Sequence, residues 1–229
     1  MKQQELLYEG KSKLIYKSDN PEHIIIRFKD DITAFYNIKR AKIENKARMN
    51  CMISSLLLAY LNDNDIKTHL VERVDDTSQL CRVVEHIPIE VIVRNVIAGS
   101  MAKRLGIEAG VVPENTIFDI CLRGEELGDP LVNDHHAVAL GIATYEELAK
   151  IYEISAKVNL LLSELFTKAG ITLVDFKIEF DNLFLGEKFE SAVVTHSAEL
   201  IKSCNSCADG CEVCKHTAKP TSVYIRHTA

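Results

Sequence analysis

Asp175, Lys177 and Glu179 stand two residues apart in Thr172-Leu-Val-Asp-Phe-Lys-Ile-Glu-Phe180, a stretch that alternates strictly between two kinds of side chain. Read as a β-strand, it sends Val174, Phe176, Ile178 and Phe180 to one face and Leu173, Asp175, Lys177 and Glu179 to the other. A carboxylate, an ammonium and a carboxylate in a row can hold a metal ion and a phosphate side by side. The same alternation also describes a half-buried strand with a solvated outer face. A second group lies near the start, where Glu9-Gly-Lys-Ser-Lys13 separates two short apolar runs. It reads as a hairpin whose backbone N–H groups and two ammonium heads can lie over a polyphosphate, or as a solvated turn. It is not a P-loop, because the glycine required five residues before Gly10 is Glu5. Third, Arg94 ends an apolar run and Gly99-Ser100 opens a short helical one. Ser100 as a helix N-cap facing Arg94 is a candidate phosphate site; the other reading is an ordinary strand-to-helix connection. Asp129, in a Gly-Asp-Pro loop, is a further candidate ligand contact. His135 and His136 are adjacent and so point apart, which is no chelating pair.

The elements that must position these groups follow from periodicity. Strands are expected at Glu5–Tyr8, Leu14–Tyr16 and His23–Phe28, then a helix from about Ile43 to Leu61 with an apolar stripe through Met49, Met52, Ile53, Leu56, Leu57 and Tyr60. Lys39, Arg40, Lys42, Lys46 and Arg48 form a basic approach to that helix, either a solvated face or a funnel for a small anion. Runs at His69–Arg73, Leu80–Val84 and Glu90–Arg94 suggest a meandering antiparallel sheet, and Ile117–Leu122 a further strand. Thr144-Tyr-Glu-Glu147 fits a capping box for a long helix that Gly170 closes, packing beneath the strand at 172–180.

The totals limit the function classes. The chain has 229 residues, 47% hydrophobic, enough for one large domain or two small lobes with a filled core. A net charge of −6 and a pI near 5.8 disfavour nucleic acid and anionic membranes as partners, so an anionic ligand needs a local basic cluster. Neither a signal sequence nor a run of about 20 apolar residues is present, which implies a cytoplasmic protein. Cys51, Cys81 and Cys121 are scattered like small core residues, whereas Cys204, Cys207, Cys211 and Cys214 crowd together near the end.

In order and spacing, the motifs resemble the SAICAR synthetase family from about Gln4 to Phe180. The carriers are Glu9-Gly-Lys-Ser-Lys13, Phe28-Lys-Asp-Asp-Ile-Thr-Ala34, Glu90-Val-Ile-Val-Arg-Asn95 with Ala98-Gly-Ser100, Arg104-Leu-Gly-Ile107, Leu127-Gly-Asp-Pro130 and Leu173-Val-Asp-Phe-Lys-Ile-Glu-Phe180. The resemblance implies an α+β fold of two lobes, similar to kinases and ATP-grasp ligases, with antiparallel sheets, flanking helices and ATP in the cleft. It implies an ADP-forming carbon–nitrogen ligase of purine biosynthesis that joins L-aspartate to carboxyaminoimidazole ribonucleotide through an acyl phosphate, using ATP and Mg²⁺. By the same resemblance, Gly10, Lys11, Ser12 and Lys13 cover the ATP phosphates. Lys177 and Glu179 are catalytic, Lys177 at the nucleotide and Glu179 at the metal. Arg94, Ser100 and Asp129 meet the ribonucleotide. The expected division is 1–85 for an ATP-covering lobe, 86–182 for an incomplete second lobe and 183–229 for an atypical tail. The partners are small molecules, and a homo-oligomer is left open.

The chain also departs from the family. Asn37, Asn45 and Ala47 stand near positions where the family carries glycines, and backbone approach to a ligand there would suffer. No Asp-Glu-x-Ser-Pro-Asp segment follows Phe180, and Ser191 occupies the register of the expected acidic ligand. The tail has three readings: the product of a shifted reading frame, a Zn²⁺ site on Cys204, Cys207, Cys211 and Cys214, or an interaction segment with incidental cysteines. Against the ligase stands the alternative of an impaired nucleotide-binding remnant whose tail binds metal or a partner.

Overall fold

The computed structural model describes residues 2–34, 39–124, 127–181 and 193–202, with the backbone alone for 32–34, 39–40 and 193–202. By its internal contacts the chain forms two compact units, one built on the residues up to His86 and one on Ile87–Glu179. The order is β1 (Gln3–Glu9), β2 (Lys13–Ser18), β3 (His23–Phe28), β4 (Asp31–Ala34), β5 (Lys39–Lys42), α1 (Lys46–Asp63), β6 (Leu70–Arg73) and β7 (Ser78–Arg82) in the first unit. There follow β8 (His86–Arg94), α2 (Gly99–Leu105), β9 (Ile117–Leu122), β10 (Leu131–Val132), α3 (Asp134–Ala139), α4 (Tyr145–Lys168), β11 (Ile171–Asp181) and β12 (Val193–Lys202). Helices with antiparallel sheets make the class α+β, as the sequence implied.

In the first unit the sheet order is β1-β2-β3-β7-β6, and every strand pair in it is antiparallel. Alternation in β3 gives the reason for its position. Ile26 and Phe28, with Ile24 beside them, join Ala47, Cys51 and Leu58 of α1 and Leu70 and Cys81 of the neighbouring strands in one core. Helix α1 starts at Lys46, three residues later than the periodicity predicts, because Asn45 adopts φ 63°. This left-handed backbone suits glycine best and asparagine next, so the chain accommodates its lack of glycine there. Asp30 replaces a local cap: its Oδ1 accepts the Ala47 N–H at 2.8 Å. The ribbon β4–β5, in register from Asp31↔Lys42 to Ala34↔Lys39, was not expected from a polar stretch of low β propensity.

The expected meander through 69–94 does not form. Strands β6 and β7 close the first sheet, whereas β8 opens a second one ordered β10-β9-β8-β11-β12. Pairing of β8 with β9 sorts the side chains into two faces. Ile89↔Leu122, Val91↔Ile120 and Val93↔Phe118 share one, and Glu90↔Cys121, Ile92↔Asp119 and Arg94↔Ile117 share the other. Helix α4 lies on the first of these faces, where Tyr152 meets Phe118 edge-on at 5.9 Å. Its N-terminus carries the predicted capping box, Thr144 Oγ1 accepting the Glu147 N–H and Glu147 Oε2 accepting the Thr144 N–H. Gly170 follows its end with φ 70°.

Candidate functional site

Strand β11 behaves as its alternation predicts. Val174, Phe176, Ile178 and Phe180 are at most 2% exposed, and burying each such side chain is worth roughly 1.5–3 kcal/mol. That burial fixes the register and turns Asp175, Lys177 and Glu179 together to the opposite face. As numbers rise along β8 they fall along β11: Glu90 meets Lys177, Arg94 meets Asp175, and the Asn95 N–H donates to the Val174 carbonyl. The two strands therefore run antiparallel, and the charged faces of β8 and β11 are one surface.

On that surface each expected site residue has a charged partner. Lys177 Nζ donates to Glu90 Oε1 at 2.5 Å, and Arg123 Nη1 donates to Glu179 Oε2 at 3.1 Å. Glu179 itself is 3% exposed. Arg94 Nε donates to Asp119 Oδ2 at 3.0 Å and its Nη1 to Asp175 Oδ2 at 2.8 Å. From α2, Arg104 Nη2 reaches both oxygens of Asp119, at 3.3 and 3.1 Å. Cys121 lies on the same face. Burial first, then the negative charge of Glu90, push its thiol up to about 11, so it is a neutral filler rather than a nucleophile.

Ser100 does not cap α2. Ala98 is the N-cap residue, without a side-chain cap bond, and Ser100 is the second residue of the helix and exposed. The chain enters the helix at Gly99, whose φ is 53°, two residues earlier than a serine cap at 100 would allow. Asp129 is left-handed at φ 49°, directly after Gly128 at 71°, and its Oδ1 accepts the Gly124 N–H at 2.9 Å. The loop is thus stapled by the residue expected to meet a ligand. Asparagine and aspartate are the side-chain-bearing residues that tolerate this backbone best.

In the first unit, Gly10 to Ser12 form the bend between β1 and β2, where Glu9 pairs with Leu14. The Gly10 N–H donates to the Lys13 carbonyl and the Lys29 N–H to the Ser12 carbonyl. The Lys29 ammonium also holds the bend, donating to Glu9 Oε1 at 2.7 Å and to the Gly10 carbonyl at 3.4 Å, and it pairs with Asp31 of β4 at 3.1 Å. Lys13 is only 8% exposed, its ammonium 5.4 Å from the Phe28 ring centre. Beside it the buried Ser12 hydroxyl has no hydrogen-bond partner among the described residues. Such a group is costly to leave unsatisfied and is suited to a polar ligand. In the basic approach, Lys42 is exposed, Arg48 pairs with Asp76 at 3.4 Å, and Lys46 is half-buried, burial lowering its pKa against the pull of Asp30 and Asp31.

Several participants were not singled out from sequence: Glu90, Asp119 and Arg123, which hold Lys177, Arg94 and Glu179, and Asn95, Thr116 and Asn159. The two amides exchange hydrogen bonds of 2.8 and 2.9 Å, with Thr116 Oγ1 donating to Asn95 Oδ1. The available signal was a lone charge within an apolar strand, as in Ile89-Glu-Val91 and Phe118-Asp-Ile120. His136 serves the capping box of α3, and His135 Nδ1 lies 2.6 Å from the Tyr145 hydroxyl. Cys51, Cys81 and Cys121 are buried core residues, as expected. Ser191, Cys204, Cys207, Cys211, Cys214 and Asn37 lie outside the described residues. No group of three or more His, Cys, Asp or Glu placed to hold a metal occurs among the described residues. No described helix is long and apolar enough to cross a membrane.

Comparison with known proteins matches residues 6–188 to SAICAR synthetase. A phosphoribosylaminoimidazole-succinocarboxamide synthase of Fusobacterium nucleatum is 52% identical over 187 residues, 82% of this chain and 79% of that protein. One from Clostridium perfringens is 54% identical over 178 residues, 78% of this chain and 76% of that protein. Among solved structures, the synthase of that name from Ehrlichia chaffeensis superposes with a TM-score of 0.82 at 39% identity, covering 88% of this chain and 86% of its own. A SAICAR synthetase in complex with ADP gives 0.76 at 35% identity, covering 86% and 84%. A family match over more than half the chain, with relatives above 50% identity, establishes that this chain belongs to the SAICAR synthetase family.

Proposed function

We propose that the chain is the ATP-dependent ligase of purine biosynthesis that condenses L-aspartate with carboxyaminoimidazole ribonucleotide, acting in the cytoplasm. The observation that supports this most is the family match over residues 6–188, which takes in every side chain of the charged face. A carboxylate is a poor electrophile and must be activated. In the proposed reaction an oxygen of the ribonucleotide carboxylate attacks the γ-phosphorus of ATP, the β–γ bridging bond breaks, and ADP leaves. The aspartate amine then attacks the acyl carbon, phosphate departs with the C–O bond electrons, and the amine gives up a proton as the amide forms.

Such chemistry asks the protein chiefly to clamp charge in place. Lys11 and Lys13 supply the positive charge of the bend at Gly10–Lys13, and the Ser12 hydroxyl supplies a buried polar group suited to a phosphate oxygen. Lys177, held by Glu90, is the cation assigned to the transferring group. Arg94, held from two sides, takes the ribonucleotide, with Ser100 as an exposed hydroxyl nearby in sequence. Asp129 acts by shaping its loop. A magnesium ion bound with ATP draws most of its ligands from phosphate oxygens and water and needs one or two carboxylates from the protein. Glu179 fits that part as a buried carboxylate, although the described residues do not complete a centre without the nucleotide. Bound there, the ion would spread the charge of the transferring phosphoryl group.

The test is a steady-state assay of the full chain with ATP, aspartate, carboxyaminoimidazole ribonucleotide and saturating Mg²⁺. ADP release that requires all three substrates is expected. Release at background level would favour the impaired remnant instead.

A further inference from the structure

On the charged face, four side chains from four elements alternate in sign: Asp175 of β11, Arg94 of β8, Asp119 of β9 and Arg104 of α2. Arg94 is the most buried of the four, its side chain 7% exposed, with the two flanking aspartates at 15–16% and Arg104 at the outer end at 36%. A guanidinium has three nitrogens. Asp119 takes Nε of Arg94 and Asp175 takes Nη1, which leaves Nη2 as the donor turned to neither carboxylate. An arginine gripped at two nitrogens cannot rotate about its last bonds, so Nη2 points in one fixed direction. Asp119 would by itself repel any anion that approached Arg94. Arg104, bonded to both oxygens of Asp119, cancels that charge.

We infer that Asp119 is the positioning residue for the ribonucleotide phosphate: it orients Arg94 toward a phosphate monoester, and Arg104 neutralises Asp119 so that the anion can approach. The inference rests on the proposed function, in which Arg94 takes the ribonucleotide. It differs from a purely structural ion-pair network in what it does to substrate discrimination. Loss of Asp119 frees the guanidinium to turn, and the cost falls on the phosphate-bearing substrate alone.

The experiment measures KM for each substrate of the full-length protein and its Asp119→Asn, Asp119→Glu and Arg104→Gln variants. In Asp119→Asn, KM for the ribonucleotide rises about tenfold, the change expected when one charge-assisted hydrogen bond is lost. KM for ATP and aspartate stays the same, and kcat stays within about threefold. Asp119→Glu recovers part of the loss. Arg104→Gln, a change at the exposed end, raises the same KM because Asp119 is left uncompensated. If Asp119→Asn does not fold, Arg104→Gln carries the test. A shared fall in kcat with unchanged KM values, or no change in any constant, overturns the inference. Should the parent show no turnover, calorimetric titration with carboxyaminoimidazole ribonucleotide and its dephosphorylated nucleoside replaces kinetics. The parent must then prefer the phosphorylated form and Asp119→Asn must lose that preference; equal preference in both, or none in the parent, overturns it.

Discussion

Replacing Lys177 by methionine separates what the residue does for the fold from what it does for turnover. Its ammonium pairs with Glu90, the two side chains being 32% and 12% exposed. Exposed pairs are worth about 0–1 kcal/mol, and breaking a fully buried one costs about 3–5 kcal/mol, so this half-sheltered pair falls near 2 kcal/mol. Most of that cost comes from leaving the Glu90 carboxylate without its cation. Lys177→Met should therefore lower Tm by about 4–8 °C, the shift expected for a domain of this size. Adding Glu90→Gln removes the stranded charge, and the double variant should return to within about 1 kcal/mol of the parent. Turnover should not return. Loss of a positioned cation at the transferring phosphoryl group costs about 10²–10³ in kcat, and glutamine at 90 does nothing to replace it. Thermal unfolding by circular dichroism, together with a coupled ADP-release assay, measures both quantities on one preparation. A double variant that regains turnover along with stability, or a single variant that never loses it, would refute the assignment of Lys177 to the reaction.

Three further outcomes are expected. Asp30→Ala removes the acceptor of the Ala47 N–H at the start of α1 and should cost about 1 kcal/mol, read as a lower urea midpoint with unchanged slope. Burial of Asp75 acts to raise its pKa, but hydrogen bonds from the Thr77 N–H and the Ser78 and Thr77 hydroxyls outweigh it and hold the carboxyl below its ordinary 3.8. Because the folded value is the lower one, this stabilisation is present above the ordinary value and is lost as pH falls through the folded one. Asp75→Asn should accordingly flatten the acid limb of a stability–pH curve, and an unchanged limb would exclude this carboxyl from acid unfolding. Finally, burial pushes the thiols of Cys81 and Cys121 up to about 12 and about 11. Peptide mapping after iodoacetamide at pH 8 should find both unmodified in the native protein and modified in urea; native labelling at either would mean that its unit opens readily.

Strict alternation makes β11 legible from its residues alone, because a period of two with four large apolar residues leaves only one way to bury the strand. The capping box of α4 is equally legible, since Thr144 and Glu147 satisfy each other within a single turn. The partners of Arg94, Lys177 and Glu179 are not. Each pairing depends on which strand lies next to which, and the periodicity of one segment is silent on its neighbours. The misread meander has the same origin: three similar strand signals in succession give no sign that β8 belongs to a different sheet. At Asn45 a residue that looks like a missing glycine proves to be a tolerated left-handed position, and at Ser100 a plausible cap is displaced because Gly99 enters the helix first.

The charged face also has a history in time. Arg94 and Asp175 are separated by 81 positions of chain, Glu90 and Lys177 by 87, and Arg123 and Glu179 by 56. During synthesis β8 and β9 therefore emerge with their charges already set among apolar residues, and the strand that answers those charges is made much later. At about 5–20 residues per second, several seconds pass before Asp175 and Lys177 exist. Closing loops of this length also sets a high entropic threshold for the final pairing. In the interval the β8 edge that receives β11 is open, a strand margin able to pair with another nascent chain. A cell making this protein must shield that edge until β11 docks, and slow decoding just upstream of Ile171 would lengthen the hazard.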